Sequence, residues 1–440
     1  MSGAGREAPG IEGEPPAAAL SVLDGLHAAG YEAWFVGGCV RDRLLGRPAG
    51  DWDVTTNARP ETVSSLFPHV VPTGLAHGTV TVVVDGTPIE VTTYRVEFGY
   101  SDGRRPDGIA FTEELALDLE RRDFTMNAMA WDPRRDVLVD LHGGREDLAA
   151  RRVRAVGSPL DRFREDGLRA LRAVRFATVL GLEIEPATWA AIPPTLDVFR
   201  RVSAERIQVE LGKILAAPRA GWGVERLGAS GLLSAFLPAY PLAVLEETCA
   251  ALERASPSLA VRLALFAAPL GAGAGPALEG LRFATRLSGA AAALVQSADR
   301  TVVPEPDAAE LRRLVASIGR DRLADTLDYH EARRTPGWGD LRRRIRDTRA
   351  DSGPHTVREL ALDGRAVMQR LGVPPSPAVG RVLEALLLRV WQAPEANTPE
   401  VLAAWLPAVY AEVTSSAGLG SGDAMGARPM PGRARGEDTQ

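Results

Sequence analysis

The sequence predicts an α+β chain in which a compact N-terminal α/β unit precedes a longer all-helical remainder. Three observations carry this. Short β-like runs (EAWFV, TVTVVV, IEVTTYR, NAMAW, VLVDL) are confined to about Leu20 to Leu141, where they mix with two helical ones. An Asp85-Gly86 pair between two of those runs signals a tight hairpin. After Leu148 strand signals nearly vanish, and the text turns Ala/Leu/Arg-rich with helical periodicity, broken at Pro186, Pro238, Gly271 to Pro276, Pro304 to Pro306 and Pro374-Pro375.

Composition frames the reading. With 440 residues, 45% hydrophobic and 25% charged, the chain can bury more than one core, and two or more soluble domains are expected. Cys39 and Cys249 lie far apart, which argues against a disulfide framework and a Cys-based zinc site and fits a reducing compartment. A net charge of -6 gives no global nucleic-acid footprint, because that depends on where basic residues cluster. Lys213 is the only lysine, so each single arginine is weaker evidence than in a balanced sequence.

Residues 1–17 lack the basic and apolar regions of a signal peptide and read as a disordered leader. The stretch LAVRLALFAAPLGAGAGPAL is interrupted by Arg262, prolines and glycines, so no membrane association and a cytoplasmic location are expected.

Ala33 to Val36 is a short apolar strand, Gly37-Gly38 turn the chain, and CVRDRLL makes a helix ending at Gly46. Glycines before a helix start let the backbone approach an anion, which the free N–H groups and the dipole favour, and Arg41 projects from that first turn. A plain turn is the competing reading. Asp51 and Asp53 then alternate on the next strand, and two neighbouring carboxylates on one face repel unless a cation lies between them. Magnesium is the natural occupant; a surface Asx turn is the alternative. Glu90, among β-branched neighbours in IEVTTYR, could complete the site. Such a cluster suits activation of a hydroxyl and departure of pyrophosphate, which is nucleotidyl transfer.

These residues resemble the class II tRNA nucleotidyltransferases (CCA-adding enzymes), relatives of bacterial poly(A) polymerases in the DNA polymerase beta superfamily. The resemblance runs in order through GGCVRDRLLG, DWDVTT, GLAHGTVTVVV, EVTTYRVEFGYSDGRRPDGIAF, LERRDFTMNAMAWDP, VLVDLHGGREDL and FREDGLRALRAVRFATVLGLEI, about half the chain. It is looser in LDGRAVMQRLGVPPSPAVGRVLEALLLRVW. It implies a nucleotidyltransferase catalytic head over 18–148, an all-α neck for base recognition over 149–215, a helical body over 216–300, a tRNA-binding tail over 301–415 and a disordered 416–440. It also implies Mg²⁺ as cofactor, CTP and ATP as substrates and tRNA as partner. Residue by residue, Asp51 and Asp53 match the catalytic metal ligands and Glu90 a further acidic position. Gly37, Gly38 and Arg41 match triphosphate contacts, and Arg122 and Asp123 in RRDFT nucleotide contacts. Family members often carry a fused HD phosphohydrolase domain; no His-Asp doublet occurs here, and His330-Glu331 lacks companion histidines, so that activity is not expected.

Glu165, Asp166, Arg169, Arg172 and Arg175 in REDGLRALRAVRF recur at helical spacing, backed by Leu168, Leu171 and Val174. Alone, the segment reads as a solvated amphipathic helix. Beside a nucleotidyl-transfer site it makes chemical sense. Cytosine and adenine present an amine donor beside a ring-nitrogen acceptor, which a carboxylate (Asp166) beside a guanidinium (Arg169) complements, while uracil and guanine present the reverse. The resemblance assigns the Glu-Asp-x-x-Arg text this role, with Arg172 and Arg175 touching the nucleotide. Arg95 to Phe111, dense in glycine and charge, reads equally as a mobile loop or a surface hairpin. The resemblance implies a loop that helps the switch from cytosine to adenine. Arg206 and Lys213 in VSAERIQVELGKIL flank an apolar stripe and read as core neighbours, and LRRRIRDTR reads as a solvated face. The rival activities are a poly(A) polymerase, a partial CC- or A-adding enzyme and, from another class, a catalytically silent RNA-binding module.

Overall fold

The computed structural model describes residues 6–7, 11, 13–99, 108–300, 302–303 and 305–418. Contacts divide the chain into two compact units, 1–298 and 299–440.

The first unit opens with a mixed sheet. Its strands in chain order are β1 (Arg6–Glu7), β2 (Ala33–Val36), β3 (Asp53–Thr56), β4 (Val70–Gly74), β5 (Thr79–Val84) and β6 (Thr87–Thr93), with β9 (Met129–Asp132) and β10 (Val137–Asp140) following a separate hairpin of β7 (Arg95–Phe98) and β8 (Gly108–Phe111). Side by side they run β1-β10-β9-β2-β3-β6-β5-β4. Within this sheet, among the described residues, β3 and β6 are the one parallel pair. At the expected hairpin Asp85 and Gly86 both take positive φ, 48° and 78°, the geometry whose twist matches the flanking strands. Helix α1 (Ala17–Ala28) buries Leu20, Val22, Leu23 and Leu26 on the sheet side.

Two expectations need correction. The leader is not wholly outside the fold, because Arg6–Glu7 pairs with β10 and covers an otherwise open sheet edge. Asp51 precedes β3 rather than sharing it. Of the two readings of Arg95 to Phe111, the base is that of a hairpin, β7 against β8, while the tip, 100–107, lies outside the described residues.

Beyond the sheet the chain is helical. REDGLRALRAVRF is not one helix: α6 (Pro159–Glu165) stops, Asp166 and Gly167 turn, and α7 (Leu168–Leu180) begins. A Cβ on Gly167 would stand 2.7 Å from the Phe199 backbone, so the close approach of that chain demands glycine. Helices α8 (Pro186–Ala190), α9 (Leu196–Phe199) and α10 (Ala204–Ala216) follow. The apolar stretch after Ser258 folds as Leu259–Ala267, a break at Gly271 and Ala274–Gly280, with Val261 to Ala267 buried. Within it, buried Arg262 donates to the carbonyls of Leu215 (2.8 Å) and Ala217 (2.6 Å) and so caps α10.

The second unit is all-helical. His330 stacks on Trp338 at 3.6 Å in its core, and burial pushes its pKa down to about 4. The LDGRAVMQRLG text forms Gly364–Leu371, where the Asp363 side chain accepts from the Ala366 N–H (2.8 Å) and Gly372 closes the helix at φ 66°.

Candidate active site

A cavity of about 550 Å³ is walled on one side by Gly37, Gly38, Arg41, Asp51 and Asp53 and on the other by Asp166, Arg169, Arg172, Arg175, Phe176, Arg206 and Lys213. Arg121, Arg122, Asp123 and Asn127 close it between them. Eight cationic side chains face four aspartates, which leaves an excess of positive charge suited to a polyanion.

The head wall follows from register. β2 sets Val36 opposite Asp53, and parallel pairing of β3 with β6 sets Asp53 beside Glu90. Gly37 takes φ 75° at the mouth of helix α2 (Gly38–Leu44). A Cβ there would lie 3.5 Å from Arg122 Nη1 and 3.9 Å from Asp53 Oδ2, in a backbone region that L side chains rarely adopt. Burial pushes the Asp53 carboxyl up to about 6, and the negative charges of Glu90 and Asp51 push the same way against Arg122. Glu90 is exposed and stands beside Asp53 without lining the cavity.

This donor set fits a hard divalent cation. Asp51, Asp53 and Glu90 make no ion pair among the described residues, and no group of three or more Asp, Glu, His or Cys is assembled there to hold a metal by itself. A pair of carboxylates in a cavity open to phosphate oxygens and water is what magnesium uses.

Arg122 donates from Nη2 to Asp118 (3.1 Å), keeps Nη1 toward the Gly37 turn, and has a buried Nε without a partner. Asp118 is a fully buried hub that also takes Arg121 (2.7 Å) and the Thr55 hydroxyl (3.1 Å). Burial would raise its pKa, but Arg122 and Arg121 hold it below the usual range. Arg41 is more occupied than expected: it donates to Asn127 (2.7 Å) and to both Asp42 oxygens (3.0 and 2.9 Å) and lies over Phe176.

The neck wall is a closed network. Asp123 accepts from Arg172 (2.9 Å) and Asn127 (3.0 Å); burial opposes its charge, yet Arg172 and those bonds bring it down to about 2. Glu210 on α10 takes Arg172 (3.3 Å) and Arg175 (2.7 Å). The sequence expectation set Asp166 and Arg169 side by side to read one base edge; both line the cavity, and each is held there by other partners. Asp166 accepts two bonds from Arg206 (3.1 and 2.6 Å) and one from the Leu168 N–H (3.0 Å), while Arg169 binds Glu165 (2.6 Å) and the Arg121 carbonyl (3.1 Å). Glu165 lies outside the cavity lining and acts on it through Arg169.

Sequence reasoning missed Arg121, Asn127, Phe176, Arg206, Glu210 and Lys213. For three of them a signal existed, because Arg206, Glu210 and Lys213 recur at steps of four and three along α10, in a row beside its buried Ile207, Leu211 and Ile214.

Comparisons with known proteins show the family and the fold of the chain. A family model described as the poly A polymerase head domain matches residues 33–154, and one described as a probable RNA and SrmB-binding site of polymerase A matches residues 181–242. A CCA-adding enzyme of Geobacillus thermodenitrificans is 39% identical over 404 residues, 88% of this chain and 96% of the relative. One of Limosilactobacillus reuteri is 36% identical over 396 residues, 87% and 94%. The crystal structure of the Bacillus stearothermophilus CCA-adding enzyme in complex with CTP superposes with TM-score 0.75 at 34% identity, covering 92% of this chain and all of that one. A Thermotoga maritima CCA-adding enzyme complexed with tRNA shares the fold, with TM-score 0.66 at 20% identity, covering 93% of this chain and 98% of that one.

Proposed function

The chain belongs to the family of CCA-adding enzymes, and from that membership we infer that it adds C, C and A to tRNA 3′ ends from CTP and ATP, without a nucleic-acid template, releasing pyrophosphate. One observation carries the reading to residue level. A single cavity joins an unbalanced carboxylate pair on the head to a carboxylate–guanidinium network on the neck, the span from the reacting phosphate of a nucleotide to its base.

Asp51 and Asp53 are the residues that would hold Mg²⁺, which when bound would activate the attacking 3′ hydroxyl and steady the departing pyrophosphate. The Gly37-Gly38 turn, Arg122 and Arg41 take the triphosphate; the unpartnered Nε of Arg122 supports that role. Asp166 accepts from the exocyclic amine of cytosine or adenine through lone pairs that Arg206 leaves open, and Arg169 donates to the ring nitrogen. Arg206, which fixes the Asp166 plane, is a positioning residue. Residues 181–242 are proposed to hold tRNA, and the enzyme is proposed to work in the cytoplasm without phosphohydrolase activity.

The test is product sequencing on a tRNA transcript lacking its 3′ end, with CTP, ATP and Mg²⁺. Products ending in CCA support the reading. Products stopping at CC, a lone added A or a poly(A) tract would assign one of the sister activities, and no incorporation would leave an RNA-binding module.

A further inference from the structure

Outside the cavity, beside Gly181 at the C-terminal end of α7, lies an arrangement that the chemistry above does not use. Arg219, Trp222 and Arg226 stand at steps of three and four along the helix Ala220–Ala229 and its N-cap, on one face. The Arg219 guanidinium lies 4.4 Å from the Trp222 ring centre, and that of Arg226 lies 5.1 Å from the same ring and 5.8 Å from the Trp189 ring. Cation–π contact with the indoles holds both guanidinium groups in place.

Arg226 has no carboxylate or carbonyl partner among the described residues, and its buried Nε lacks an acceptor. The carboxylate nearest Arg219 is Glu183, at 3.8 Å, in an exposed pair. Arg151 joins them. It donates to the Gly181 carbonyl (2.7 Å), and a Cβ on Gly181 would meet Arg151 Nη2 at 3.2 Å and Arg219 Nη1 at 4.0 Å, so the two cations converge on one point. Converging cations with an unanswered buried donor call for an anion, and planar guanidinium edges suit phosphate oxygens.

We propose that Arg151, Arg219 and Arg226, held by Trp189 and Trp222, bind the phosphate backbone of the tRNA substrate several nucleotides upstream of its reacting 3′ end. Placement sets the partner. α7 has 13 residues, so its ends are about 20 Å apart. Asp166 and Arg169 lie at one end, in the cavity, and the cluster lies at the other. An RNA whose last nucleotide is being extended in the cavity brings upstream phosphates to this distance. The proposal rests on the tRNA reading above.

The experiment uses the full chain with a tRNA transcript lacking CCA and measures CMP incorporation and transcript binding at several salt concentrations. Arg219→Gln with Arg226→Gln is expected to raise the KM for tRNA roughly tenfold and to lower the salt slope by about one per arginine. kcat and the KM for CTP should stay at wild-type values, and Arg226→Lys should recover the salt slope. An unchanged tRNA KM and slope in the double variant would overturn the proposal, as would equal losses for CTP and tRNA. If Arg226→Gln melts too early to assay, exposed Arg219→Gln alone decides by the same readouts. Failure of the wild-type chain to extend any tRNA would instead sink the functional reading itself.

Discussion

The two ends of the cavity handle charge in opposite ways. At the head end Asp51, Asp53 and Glu90 crowd together without a cationic partner of their own, and the Asp53 carboxyl is pushed up to about 6. At the neck end every carboxylate is answered: Asp123 by Arg172, Asp166 by Arg206, Glu165 by Arg169, Glu210 by Arg172 and Arg175. The head end is therefore incomplete without an added cation. The neck end is complete, and its groups stand oriented before a base arrives, so little reorganisation is needed at the moment of selection. Charge that is left unbalanced marks where something is brought in; charge that is balanced marks where something is measured.

Removing a carboxylate from the unbalanced end should have the largest effect. Asp51→Ala or Asp53→Ala is expected to cut incorporation of both CMP and AMP by about 10⁴-fold or more while the fold persists, because no neighbour can replace a lost ligand. Single-turnover assays with each triphosphate check this. Near-normal turnover in either variant would erase the contrast between the two ends.

The balanced end should respond in selectivity more than in rate. Asp166→Ala is expected to lower the CTP-over-UTP preference by about 10³-fold with a smaller change in triphosphate affinity, if the deleted group is the proposed reader of the base edge. Arg206→Ala leaves the reader in place but unsupported, so its loss of preference should be smaller by one to two powers of ten. Competition between CTP and UTP measures both. Equal losses would make Arg206 a base contact in its own right, and an unchanged preference in Asp166→Ala would remove the reader from this end.

The head end was the more legible of the two in sequence, for a physical reason. Its parts are local: a Gly-Gly turn, a strand and two aspartates within seventeen residues, Gly37 to Asp53, whose faces follow from a period of two. Glu90 needed only one strand pairing. The neck network spans distant helices. Arg206 lies 40 positions from Asp166, and no local periodicity says which arginine, in a chain where arginine replaces nearly every lysine, meets which carboxylate. The single helix that the spacing suggested is interrupted at Asp166, which is extended at φ -139° and ψ 105°, while Gly167 admits the close approach of the Phe199 backbone.

The smallest effect separates the two ends by sign. Asp53, at about 6 in the folded chain against 3.8 for a free carboxyl, keeps a proton that the unfolded chain has already released. As pH rises from about 4 to 6 the metal-free protein should lose about 3 kcal/mol of stability and not regain it above 6. Asp123, at about 2, behaves in reverse: its contribution is present above about 4 and fades as pH falls toward 2. Urea melts with a chelator present should therefore show Asp53→Asn more stable than wild type at pH 7 and equal to it near pH 4. Asp123→Asn should be less stable at pH 7, by about 2 kcal/mol, because it leaves Arg172 buried beside a neutral amide. Added Mg²⁺ should shrink the advantage of Asp53→Asn and leave the deficit of Asp123→Asn unchanged. Stability changes of the same sign for both substitutions at pH 7 would mean that the head carboxylates are already balanced, and that the two ends do not differ in charge.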